Sequence, residues 1–63
     1  MNKPVAKLIG EDGNIFNLMA IASQALKRNG QRDKSTEMTT RIMSEAKSYN
    51  EALSIISEYV EIE

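Results

Sequence analysis

The chain has 63 residues, with eight Lys or Arg against nine Asp or Glu, a formal charge of −1, and neither Cys nor His. A chain this short buries only about 60% of the surface that its unfolded form exposes, so one core and a single domain over residues 1–63 are expected. Without thiols there is no disulfide or thiolate metal site, and without His the commonest metal ligand and the usual acid–base group at neutral pH are missing. No metal or cofactor is therefore expected, and binding is favoured over catalysis. No apolar run reaches the roughly 18 to 20 residues of a membrane span, and Met1 to Gly10 lacks a signal-like apolar stretch, so a cytoplasmic protein is expected.

The small net charge conceals two unlike halves. Up to Lys34 the chain carries Lys3, Lys7, Lys27, Arg28, Arg32 and Lys34 against Glu11, Asp12 and Asp33. Beyond it, Arg41 and Lys47 face Glu37, Glu45, Glu51, Glu58, Glu61 and Glu63. Opposite halves of this kind favour attraction within or between subunits.

Val5 to Ile9 is a short apolar run interrupted by Lys7, preceded by Pro4 and stopped by Gly10, and reads as a strand. Gly10-Glu11-Asp12-Gly13-Asn14 has the composition of a loop, with Asn14 or Asp12 as an N-cap. A first helix follows from about Ile15 to Arg28, with Ile15, Leu18, Met19, Ala22, Ala25 and Leu26 inward, two basic residues in its last turn and Asn29-Gly30 as its stop. Gln31 to Ala46 carries a second, weaker amphipath with Met38 and Ile42 inward, joined by Met43 and Ala46. Ser48-Tyr49-Asn50-Glu51 fits a capping box opening a third helix to Glu58 or Tyr59. Its expected stripe is Tyr49, Ala52, Leu53, Ile56, Tyr59 and Val60, with Ile55 to one side. Val60-Glu61-Ile62-Glu63 alternates apolar with acidic and favours a terminal strand. The expected fold is α+β and mainly helical, strand–three helices–strand, with the terminal strands paired within one chain or across a dimer. An all-α three-helix domain is the alternative.

At Lys7-Leu8-Ile9-Gly10-Glu11-Asp12-Gly13-Asn14-Ile15-Phe16 the sequence resembles small uncharacterised proteins of phages and integrative elements of Gram-positive bacteria. The likeness extends to Glu37-Met38, Ser48-Tyr49-Asn50-Glu51-Ala52-Leu53 and Glu58-Tyr59-Val60. This resemblance implies a mobile-element setting, in which small proteins act as inhibitors of host defence, sequestering agents or accessory regulators. It carries no site residues with it.

Three surfaces could hold a partner. The loop Gly10, Glu11, Asp12, Gly13 and Asn14 opens a helix whose free N–H groups suit an anion, although Glu11 and Asp12 oppose one and a tight capped turn explains the same residues. Lys27, Arg28, Arg32 and Lys34 cluster at the turn between the first two helices and could meet phosphates or an acidic protein surface. A solvated helix terminus is the simpler explanation, and the only aromatics are Phe16, Tyr49 and Tyr59, few for nucleic-acid stacking. Phe16, Ala20, Ile21 and Ile55 form an apolar surplus off the core stripes, expected at a subunit interface unless the fold itself wraps the first helix. Ser35, Thr36, Thr39 and Thr40 have no base to activate them. The residues point to a non-enzymatic, homo-oligomeric binding module without membrane contact, and the resemblance implies that it blocks or sequesters a host protein or a small anionic signalling molecule. A small nucleic-acid-associated regulator is the alternative.

Overall fold

The computed structural model describes residues 3–63. In chain order it has strand β1 (Val5–Ala6), helices α1 (Ile15–Arg28), α2 (Arg32–Glu45) and α3 (Tyr49–Tyr59), and strand β2 (Glu61–Ile62). The fold is thus the mainly helical α+β arrangement expected from the sequence.

The strands pair in parallel within one chain, Val5 opposite Glu61 and Ala6 opposite Ile62. A parallel pair needs a long crossover, and all three helices supply it. The Glu61 and Glu63 N–H groups donate to the carbonyls of Pro4 and Ala6, each at 2.9 Å. The ladder is shorter than the Val5–Ile9 run, because the Leu8 and Ile9 N–H groups both converge on the Glu63 carbonyl oxygen, at 2.6 and 2.9 Å. Alternation nevertheless persists through the run: Ala6 and Leu8 are buried while Val5, Lys7 and Ile9 are exposed.

Each helix begins and ends on local chemistry. Asn14 caps α1 through its side-chain oxygen, which accepts from the Phe16 N–H at 2.9 Å. At the other end Gly30 adopts φ +74°. That conformation lets the Gln31 N–H reach the Leu26 carbonyl at 2.8 Å and the Gly30 N–H reach that of Lys27 at 3.1 Å, the paired closure of a Schellman turn. Ser48 caps α3 by accepting from the Glu51 N–H at 3.1 Å. The Glu51 carboxylate accepts in return from the Lys47 N–H, at 2.7 Å, one residue before the position that a standard capping box uses.

The core is built from Ala6, Leu8, Leu18, Ala22, Leu26, Met38, Ile42, Ala52, Ile55, Ile56 and Val60. Helix α1 packs against α2, α3 and β1, which explains why it is apolar on more than one side. Helix α2 contributes only Met38, Ile42 and the small polar Ser35. The Ser35 hydroxyl is bonded to that of Ser23 on α1, so its burial leaves no orphan polar atom. Thr36, Thr39 and Ser44 return their hydroxyls to carbonyls of the same helix, which is how so polar a sequence stays helical.

Three expectations about the core need correction. Ile55, placed at a subunit interface, is 6% exposed and lies inside the monomer, whereas Met43 and Tyr49, both placed inward, are 68% and 45% exposed. Met43 follows the buried Ile42 directly, and one residue turns a helix by about 100°, enough to carry a side chain from the core out to solvent.

Candidate binding groove

The three-residue turn Asn29–Gln31 makes α1 and α2 an antiparallel pair, so the start of α1 lies beside the end of α2. The start of α3 closes the third side. At this end the side chains stop filling the space between the helices, leaving a groove of about 310 Å³. Ile15, Phe16 and Met19 line it from α1, and Ile42, Met43 and Ala46 from α2. Ser48, Tyr49 and Ala52 line it from α3. Ala46, Ser48 and Ala52 are too small to fill the gap, while Phe16 (62% exposed), Met43 and Tyr49 (45%) stand around it. Tyr49 is held upright, its hydroxyl donating to the Gly13 carbonyl at 2.5 Å.

That bond ties the Gly10–Asn14 loop to the groove. The loop is internally engaged: the Asp12 carboxylate accepts from the Asn14 N–H at 3.0 Å, the Asp12 carbonyl from the Asn17 side chain at 2.9 Å, and the Leu8 carbonyl from the Glu11 N–H at 3.2 Å. With the Phe16 N–H taken by Asn14, four donors that an anion could use there are already satisfied. The geometry is that of a braced helix start carrying two exposed acids, Glu11 and Asp12.

Lys27, Arg28, Arg32 and Lys34 flank the α1–α2 turn, at the opposite end of that helix pair from the groove. Lys34 pairs with Glu37 at 3.8 Å. Arg28 borders two shallow depressions, one with Asn17, Ala20, Ile21 and Gln24, the other with Pro4, Val5, Ala25 and Asn29. The residues expected at one interface are therefore not one surface. Phe16 belongs to the groove, Ala20 and the half-buried Ile21 to a depression of mixed polarity, and Ile55 to the core.

A polar cluster on the α2–α3 seam was not foreseen from the sequence. Arg41 donates to Glu58 through Nη1 at 2.8 Å and Nη2 at 3.4 Å, and to the Tyr59 hydroxyl at 3.3 Å, with its guanidinium 5.8 Å from the Tyr59 ring centre. The Tyr59 hydroxyl donates a hydrogen bond to Glu37, and Glu45 approaches the Arg41 Nε at 3.5 Å. Hydrogen bonding to Arg41 holds the Glu58 carboxyl below its ordinary range, and the same contact raises Arg41. Burial raises the Tyr59 phenol against the opposing pull of Arg41, with Glu37 adding to the rise. Glu37 divides its carboxylate between Tyr59 and Lys34, and Glu58 gives both oxygens to Arg41, so the cluster is a brace between helices. Its sequence signal is thin: Arg41 is the sole cation between Lys34 and Lys47, but the partners lie 17 and 18 residues away.

No protein-family model matches this chain, and neither a curated protein nor a solved structure is similar enough to it to match. Among the described residues, no helix is long and apolar enough to cross a membrane.

Proposed function

We propose that this chain is a non-enzymatic binding module whose working face is the groove between the start of α1, the end of α2 and the start of α3. The observation that carries the reading is the convergence of Phe16, Met43 and Tyr49, three large and substantially exposed side chains, around one apolar concavity. Contiguous exposed apolar surface on a small protein marks a contact site, because leaving it in water forgoes burial free energy. In the mobile-element setting that the sequence resemblance implies, the partner is a host protein that the module blocks or sequesters. Retention of a host protein by the tagged wild-type chain, lost with the surface variant Met43→Glu, is the expected result. Equal retention by both forms counts against the groove as the working face.

Self-association is a second reading, supported by Phe16, which stands at the rim of a depression able to receive its counterpart from another copy. Sedimentation of wild type and Phe16→Ser at the same micromolar concentration separates the two readings: a dimer lost in the variant favours self-association. The nucleic-acid alternative rests on Lys27, Arg28, Arg32 and Lys34, away from the groove. Binding to DNA or RNA that falls steeply with salt and weakens in Arg28→Ala and Arg32→Ala is its signature.

A further inference from the structure

The charges beside the groove are unevenly distributed. Glu11 and Asp12 sit on the loop that Tyr49 pins to the groove wall through Gly13. Glu45 directly precedes the lining residue Ala46 and shares one carboxylate oxygen with Arg41 at 3.5 Å, while Glu51 has its carboxylate fixed on the Lys47 N–H, at the link between α2 and α3. Lys47 is the one basic residue between Met43 and Ala52. Helix α2 also ends here with no basic residue in its last turn, so the partial negative charge of its terminal carbonyls is uncompensated by its own side chains. The starts of α1 and α3 offset that terminus with their own N–H groups, so what attracts cations to the apolar seat is the side-chain balance around it, Glu11, Asp12, Glu45 and Glu51 against Arg41 and Lys47.

A second copy of the chain fits this surface poorly. A twofold contact through the groove brings each rim against its own image, so Glu11, Asp12, Glu45 and Glu51 of one copy meet the same acids of the other. The basic residues that could relieve this lie at the far end of the α1–α2 pair, where, among the described residues, the apolar surface bordering Arg28 is that of Pro4, Val5 and Ala25.

Resting on the reading of the groove as the binding face, we propose that its occupant is a basic amphipathic helix of a partner protein, whose apolar side chains enter between Phe16, Met43 and Tyr49 and whose flanking Lys or Arg residues meet the acidic side chains around it. A groove of about 310 Å³ holds anchor side chains and not a whole partner, as helix-in-groove recognition requires.

Two fluorescent helical peptides test this, each with Leu at i, i+3, i+4 and i+7, one flanked by Lys and Arg and the other by Glu. The full chain binds the basic peptide at least tenfold more tightly at low salt, with the advantage shrinking severalfold in high salt. Met43→Glu separates seating in the groove from bulk charge attraction, because it adds a negative charge yet spoils the apolar seat. The basic peptide must bind it at least fivefold more weakly, with helicity unchanged by circular dichroism. Glu11→Lys combined with Glu45→Lys reduces or reverses the preference between peptides. Tighter binding to Met43→Glu, or equal affinity for the two peptides, overturns the proposal. In the second case, loss of both peptides on Met43→Glu leaves the groove as a binding face and removes only its preference for a cation. A dimer whose formation excludes the peptides assigns the groove to a second copy and likewise overturns it.

Discussion

Arg41 on α2 grips both carboxylate oxygens of Glu58 on α3, at 2.8 and 3.4 Å, while its guanidinium also reaches Tyr59, the next residue. The brace joins two helices whose apolar contact is limited by the polarity of α2. Because it is solvent-accessible, Arg41→Met lowers the thermal midpoint modestly, and the difference narrows as salt is added.

The same cluster predicts opposite pH limbs. Glu58 titrates below its ordinary value, so its contribution is complete above about pH 4.3 and falls away as the pH drops through the lower folded value. Tyr59 titrates above its ordinary value, so its contribution is complete below about pH 10 and falls away as the pH climbs through the higher folded value. Urea midpoints measured against pH should show a flatter acid limb in Glu58→Gln and a flatter alkaline limb in Tyr59→Phe. Unchanged limbs would mean that the brace contributes nothing in solution.

Ser23 and Ser35 form a hydroxyl pair between α1 and α2, with Ser35 only 2% exposed. Replacing either by Ala leaves its partner short of a bond and costs about 1 kcal/mol. The double variant should cost less than the two singles summed, with a coupling of at least about 0.5 kcal/mol. Strict additivity in a urea-melt cycle refutes the pairing.

Gly30 has open space around the position a Cβ would take, yet its φ is +74°. Gly30→Ala therefore meets no clash with a neighbouring side chain, and its cost, about 1–2 kcal/mol, comes from the left-handed backbone. Gly30→Asn should cost less, since Asn tolerates that region better. Equal urea midpoints for wild type and the Ala variant would show that the turn relaxes to another conformation.

Ile55 and Phe16 were expected on the same surface and are instead core and rim. Ile55→Ala should cost about 2–5 kcal/mol, comparable with the roughly 3–5 kcal/mol that a core in a domain this small can supply, and leave a largely unfolded chain by circular dichroism. Phe16→Ala should stay within about 0.5 kcal/mol of wild type while weakening partner binding. A reversed order would restore Ile55 to the surface.

Much of the fold was legible in the sequence because its signals are local. The Asn14 and Ser48 caps, the Gly30 stop and the 3.6-residue spacing of Leu18, Ala22 and Leu26 each act within a few residues, so helix positions follow from nearest-neighbour chemistry. The alternation through Val5–Ile9 and the apolar–acidic pattern after Val60 likewise marked two strands. Their partner and direction stayed open, since pairing Val5 with Glu61 joins the ends of the chain. Periodicity also identifies an apolar side chain without saying what covers it. Ile55 and Met43 both lie beside a core stripe, and only the packing of the three helices buries the first and exposes the second. The groove and the Arg41–Glu58 brace share that origin. Tyr49 reaches Gly13 across 36 positions and Arg41 reaches Glu58 across 17. Composition and local pattern thus determined a small mainly helical domain with a strand at each end. Tertiary packing decided which apolar residues it leaves for a partner, because exposure belongs to the assembled helices and not to any segment alone.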